Sequence, residues 1–217
     1  MSSLTDTPPG RICVLRLSAL GDVCHVLPVV RTLQDAWPGA AFTWIIGKLE
    51  HKLLGHLPDI EFIVFDKKAG RTAYRALRER MARRHYDALL HMQLAIRASL
   101  AATLVPATTR VGFDRARARE LQWLFTNERI EARSREHVLD SLFGFAERLG
   151  VRKRSMRWDI PLPEAALEYA RRVVPDGRPT LVVSPCSSHV LRNWGAAHYA
   201  TVADYAARRH GLQVLLC

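Results

Sequence analysis

No stretch of this 217-residue chain stays apolar long enough to cross a bilayer, and its opening, MSSLTDTPPG, is polar with no hydrophobic run behind it. Both absences argue against a spanning helix or a leader and lead to the expectation of a cytoplasmic location. Cysteine is scarce. Cys13, Cys24, Cys186 and Cys217 stand apart with no Cys-x-x-Cys pair, and they read as reduced packing residues rather than disulfides or metal ligands. The nine histidines form no tight metal-spaced cluster, so no metal is expected. Glycine is missing where a nicotinamide enzyme would need it: Gly21 stands alone in the first strand-to-helix turn, without the G-x-G-x-x-G that lets a pyrophosphate approach the backbone.

Acid is also in short supply, with 21 Asp and Glu against 32 Lys and Arg, a formal charge of +11. The excess gathers in three places: Arg71, Arg75, Arg78, Arg80, Arg83 and Arg84; Arg115, Arg117 and Arg119; and Arg152, Lys153, Arg154 and Arg157. Such a surface attracts polyanions in general, whether nucleic acid, an anionic membrane leaflet or a phosphorylated acidic glycolipid. Arginines on solvated faces would give the same composition. No helix-turn-helix and no basic stretch interleaved with aromatics appears, so no nucleic-acid partner is expected.

With 48% hydrophobic residues the chain can bury a real core. Its organising stretch is RICVLRLSALGDVCHVLP, Arg11 to Pro28. Ile12 to Leu17 reads as a buried strand; after Ser18-Ala19-Leu20-Gly21, Asp22 opens a segment with Val23, Val26, Leu27, Val30 and Leu33 at helical spacing. Asp22 therefore falls where a strand ends and a helix begins. In an open parallel sheet that edge is where ligands bind, although a carboxylate there also serves as a plain helix cap. Further strands are expected at 40–46, 60–65, 86–91 and 109–112. Helices are expected at 48–54, 71–84 and 93–104, an alternation that implies a parallel sheet with right-handed crossovers. Residues 113–136 read as a loop-rich excursion and 137–149 as a helix stopped at Gly150.

The domain reading follows: 1–150 as a first Rossmann-like α/β domain, 151–178 as linker and helix, and 179–217 as the beginning of a second. There, a strand at 180–184, a loop at 185–194, a helix at 195–210 and a strand at 212–217 make one unit. Two parallel strands cannot cover their own faces or edges, so the chain is expected to be cut short within the second domain. The loop PCSSHVLRNW repeats the logic of the first junction, offering Ser187, Ser188 and Arg192 between a strand and a helix. Short donors, free amides and a fixed positive charge suit a diphosphate; ordinary turn residues would look the same.

The two junctions, LSALGDVCHVLP and SPCSSHVLRNW followed by Ala197-His198-Tyr199, together with ARARELQWLFTN from Ala116 to Asn127, resemble the heptosyltransferases of lipopolysaccharide inner-core assembly, glycosyltransferase family nine. The resemblance implies two Rossmann-like domains of GT-B type and inverting transfer of heptose from ADP-heptose to Kdo-lipid A or an already heptosylated core. It casts Asp22 as general base, and Ser187, Ser188 and Arg192 as the donor diphosphate site. Ser18, Arg97, Arg119 and His137 become acceptor contacts, with no cofactor or metal. The partners implied are a nucleotide-sugar donor and an anionic glycolipid at the inner face of the cell membrane, where the protein would be peripheral; oligomeric state is left open. Ala19 stands where relatives often carry a second serine or another polar residue. The family's Asp-Thr-Gly-x-x-His motif is not reached before Cys217, so these 217 residues alone are expected to be inactive or nearly so. A non-catalytic acceptor- or polyanion-binding fragment, or a transferase for another nucleotide sugar, are the alternatives.

Overall fold

The computed structural model describes residues 7–175, 177–187 and 190–217. They divide into two compact units, Met1–Pro161 and Leu162–Cys217. In the first, strands β1 (Arg11–Leu15), β2 (Ala41–Gly47), β3 (Ile60–Phe65), β4 (Tyr86–His91), β5 (Ala107–Gly112) and β6 (Glu128–Arg129) form one sheet in the order β3-β2-β1-β4-β5-β6. Every neighbouring pair is parallel. Helices α1 (Leu20–Ala36), α2 (Lys48–Leu54), α3 (Arg71–Met81), α4 (Ile96–Thr103) and α5 (Val138–Arg148) supply the connections and cover the sheet.

The apolar runs of the central strands exist because both faces are covered. Alternate residues of β1 point to opposite sides. Ile12 and Val14 pack with Val23, Val26 and Leu27 of α1 and Phe143 and Phe145 of α5. Cys13 and Leu15 pack with Leu77 and Met81 of α3 and Ala98 and Ala102 of α4. Each fully buried Leu, Val or Phe in these layers is worth roughly 1.5–3 kcal/mol. Gly47 ends β2 against the turn after β1, and a Cβ there would sit inside contact distance of the Leu17 carbonyl and the Glu50 carboxylate. Only glycine lets β2 approach that turn so closely.

Several expected boundaries move, for local reasons. The first helix begins at Leu20, so Asp22 is its third residue and not its opener; its carboxylate reaches back to the Ala19 N–H (2.9 Å). The helix after β4 begins at Ile96, not 93, because the Gln93 side chain is spent on the Leu17 and Ser18 N–H groups (2.8 and 3.2 Å). Residues 82–84 leave α3 as Arg84 turns to pair with Glu61. The excursion after Gly112 holds a 3-10 turn, Gln122–Phe125, and β6, which adds a strand to the sheet. Residues 155–159 lie along α1: Ser155 N–H donates to Thr32 Oγ1 (2.8 Å), Arg31 pairs with Asp159 (2.9 Å), and Trp158 Nε1 donates to the Cys24 carbonyl (2.8 Å). All four cysteines are free thiols; only Cys13 is buried, while Cys186 and Cys217 are exposed and do not pack as expected.

The second unit contains α6 (Glu164–Val173), β7 (Thr180–Val183), α7 (Ala196–His210) and β8 (Gln213–Leu216). β7 and β8 pair in parallel. Among its described residues only the hydrophobic Ala206 is buried.

His91, at the carboxyl end of β4, is buried with Nε2 3.0 Å from Ser99 Oγ and Nδ1 without a partner among the described residues. Burial, aided by the charge of Arg110, pushes its pKa down to about 3. The folded chain thus refuses a proton that the unfolded chain takes near pH 6.5. Stability is full above that pH and falls as pH drops toward 3, by at most about 1.4 kcal/mol per unit. Between pH 7 and pH 5, urea unfolding of the wild type should lose about 2 kcal/mol more than that of His91→Gln. Equal losses would contradict a neutral buried imidazole.

Candidate functional site

The turn after β1 is built around Arg16. Its Nε donates to the Ser18 carbonyl (2.8 Å), one terminal nitrogen bonds the Met92 carbonyl at the end of β4, and the other pairs with Asp22 Oδ2 at 2.5 Å. The Ala19 N–H also falls on Oδ2, so Asp22 Oδ1 has no partner among the described residues. The Asp22 side chain is 36% exposed and that of Arg16 only 13%. A carboxylate at the first turn of a helix is favoured by the helix dipole. Here it is also anchored by a guanidinium through one oxygen, and the side chain remains partly exposed.

Arg16 also lines a cavity of about 470 Å³ whose wall carries Arg117, Arg119, Arg133 and Arg135, with Leu94 and Phe113 on its apolar side. Of the five arginines, Arg117 is committed to the protein. It bonds Asp114, Glu136 and Ser141 and donates to the Glu131 carbonyl (2.7 Å). Arg133 pairs with Glu131 (3.1 Å) and Glu147 (2.9 Å). Arg135 adopts a positive φ of 56°, a conformation uncommon outside glycine that tends to cluster at functional sites. The outcome is an open, cation-rich pocket suited to carboxylates or phosphates.

The residues expected to touch an acceptor are distributed unevenly. Arg119 lines the cavity. His137 stands between the lining residues Glu136 and Val138, caps α5 by accepting the Leu139 N–H (3.2 Å), and meets His25 edge-on at 5.7 Å. The Ser18 backbone is used within the turn. Arg97 is exposed on α4, where its carbonyl accepts from Tyr74 (3.0 Å), and it is not in the cavity wall. Arg16, Arg117, Arg133 and Arg135 were not anticipated as members of one wall. Arg115 is drawn off by Trp123, 5.0 Å from its ring centre.

In the second unit, the Ser187 N–H donates to Asn193 Oδ1 (2.7 Å), folding the loop before α7. Arg192 is exposed at the end of a 3-10 turn, Val190–Arg192. Trp194 stacks on His198 at 4.8 Å and meets Tyr199 edge-on at 5.3 Å. Ser188 lies outside the described residues. No group of three His, Cys, Asp or Glu able to hold a metal occurs among the described residues.

Residues 74–217 match the family described as Glycosyltransferase family 9 (heptosyltransferase). The chain belongs to glycosyltransferase family 9. Over 96% of its length it is 40% identical to the lipopolysaccharide core heptosyltransferase OpsX of Haemophilus influenzae, covering 60% of that protein. A family 9 glycosyl transferase from Veillonella parvula superposes with a TM-score of 0.78 at 25% identity, over 95% of this chain and 62% of that one. The heptosyltransferase WaaC of E. coli, solved with ADP-2-deoxy-2-fluoro heptose, superposes with a TM-score of 0.74 at 23% identity, over 95% of this chain and 68% of that one. This last likeness concerns the fold, the GT-B class of two parallel α/β units. The chain thus spans about 60% of the length of its curated relative.

In this family 9 chain the cavity wall depends on Arg117, which is one-quarter exposed and faces the buried Asp114 and the partly buried Glu136. Removing it leaves two carboxylates without their cation. Arg117→Met should cost about 3 kcal/mol in urea unfolding, since breaking a buried pair strands its partner. A loss below about 0.5 kcal/mol, the size of an exposed pair, would show that the network is only decorative.

Proposed function

We propose that the full-length protein is an inverting heptosyltransferase that moves heptose from ADP-heptose to the lipopolysaccharide inner core, either Kdo-lipid A or a heptosylated core. One observation carries this reading: Asp22 is held through Oδ2, with Oδ1 unpartnered among the described residues, by Arg16, which itself lines a cavity walled by further arginines. Such a carboxylate can accept a proton without losing its place. The family and the 40% identity to a core heptosyltransferase support the choice of substrates.

In the proposed reaction an acceptor hydroxyl oxygen attacks the anomeric carbon and its proton passes to Asp22 Oδ1. The bond from that carbon to the ADP oxygen breaks, ADP departs with the electron pair, and the configuration inverts. The first unit would grip the acceptor's carboxylates and phosphates through Arg119 and its neighbours, with Ser18 and His137 beside them. Arg97 would act at longer range. In the second unit Ser187, Ser188 and Arg192 would take up the charge growing on ADP, the role such donors fill in other phosphate sites. No cofactor or metal enters the scheme. An anionic glycolipid acceptor would bring the protein to the inner face of the cell membrane as a peripheral enzyme.

Mass spectrometry of Kdo-lipid A incubated with ADP-heptose and the full-length protein should show the gain of one heptose. Arg119→Ala should raise the acceptor KM about tenfold or more, the cost of one charged hydrogen bond, while the ADP-heptose KM holds. Acceptor binding with no mass gain would leave a non-catalytic polyanion-binding protein. Transfer from another nucleotide sugar in preference would move the donor assignment.

A further inference from the structure

The face of the first sheet covered by α3 and α4 carries an unusual combination. On α4, Ile96 and Leu100 project outward one turn apart, 42% and 47% exposed. The 3-10 turn Gln122–Phe125 packs against that helix, its approach fixed by the Ile96 N–H bonded to Glu120 Oε2 (2.5 Å). It presents Leu121 and Leu124, 55% and 58% exposed. Four large aliphatic side chains are thus left in water on two adjoining elements, where single exposed ones would need no explanation.

Beside them runs α3, tied to α4 by the Tyr74 hydroxyl on the Arg97 carbonyl (3.0 Å). Its inner stripe, Ala73, Leu77 and Met81, is spent on the core, and its outer side shows Arg71, Arg75, Arg78 and Arg80. The two acids nearby are already engaged: Glu79 with Arg75 (3.0 Å) and Glu120 with the Ile96 N–H. A second copy of this chain meeting it through the same face would therefore bring almost no free acid to the arginines.

We propose that this face docks the protein on an anionic phospholipid bilayer, with Ile96, Leu100, Leu121 and Leu124 entering the headgroup boundary and the α3 arginines lying on the lipid phosphates. A cationic row beside a small aliphatic patch is the composition that holds a protein in the plane of an anionic interface without spanning it. Continuity with the cavity adds to this. The segment that supplies Ala116, Arg117 and Arg119 to the cavity wall runs directly into Leu121 and Leu124. An amphiphile with its acidic end among the arginines would have its apolar end leave toward these leucines. This last step rests on the acceptor reading above; the docking itself does not.

The test is flotation of the full-length protein with phosphatidylglycerol-containing vesicles and with phosphatidylcholine vesicles, at low and high salt. Binding should need the anionic lipid and weaken with salt. The double substitution Leu121→Glu and Leu124→Glu, and the triple substitution of Arg71, Arg75 and Arg78 by Gln, should each lower the partition coefficient about tenfold. These side chains are exposed, so thermal melts should be unchanged. Transfer to a de-acylated, water-soluble acceptor should also be unchanged. In the wild type, hydrogen exchange over 96–100 and 118–125 should slow on anionic vesicles, which needs no variant. Equal binding to neutral vesicles, no binding, or variants that bind as wild type would overturn the proposal. So would protection of these segments without vesicles, by more of the chain or by a dimer. Vesicle binding without transfer would leave docking standing and defeat the proposed function; transfer without vesicle binding would do the reverse.

Discussion

A single guanidinium fixes the relation between the end of β1, the end of β4 and the start of α1. Arg16 bonds the Ser18 carbonyl, the Met92 carbonyl and the Asp22 carboxylate, three partners in three directions, which suits the planar fork of arginine and not the point charge of lysine. Its own backbone is held by β2: the Arg16 N–H donates to Ile45 (3.2 Å) and the Arg16 carbonyl accepts from Trp44 Nε1 (3.2 Å). Gly47 lets the end of β2 close on the same turn. Oδ2 of Asp22 is engaged by both Arg16 and the Ala19 N–H, and the other oxygen has no partner among the described residues.

The arginine-rich composition resolves into two populations. Arg84 is bidentate to Glu61, holding that carboxyl below its usual range, and Arg154 bridges Asp140 (2.5 Å) and Glu147 (3.0 Å). Arg157 reaches Asp35 (2.6 Å), and Arg117 gathers Asp114 and Glu136. These four tie loops to neighbouring strands, loops and helices and have little charge to offer a ligand. Others, among them Arg119 and Arg135 on the cavity wall, Arg71 and Arg78 on the outer side of α3, and Arg192, have no ion pair with an acid among the described residues. Net charge alone therefore overstates the field that a polyanion would meet, and its distribution is what matters.

The fold was legible where short apolar strand runs alternate with stretches at helical spacing. Strands 60–65 and 86–91 and helix 48–54 begin and end where the residue pattern says. It was less legible where a polar side chain takes over from the backbone, as when Gln93 bonds the β1 turn and delays α4 by three residues. In the site, Asp22 and Arg119 could be picked out because they sit in local motifs. Arg16 could not, because it interrupts a strand-like run and its Met92 partner lies 76 residues away. Arg133 and Arg135 reach the wall only through the connection from β6 to α5, which no linear spacing reports. Arg97 was expected at the acceptor and is carried outward by the phase of α4, which spends Ala98, Ala101 and Ala102 on the core.

In the proposed reaction Asp22 acts as a base from an anchored position. Asn at 22 keeps an oxygen for the Ala19 N–H and preserves the start of α1, but it cannot take a proton. The measurement is kcat of the full-length Asp22→Asn enzyme with ADP-heptose and Kdo-lipid A at saturation, alongside its ADP-heptose affinity. The account predicts a fall in kcat of about a thousandfold with donor affinity unchanged. A kcat within about threefold of wild type, far short of the loss of a general base, would contradict it.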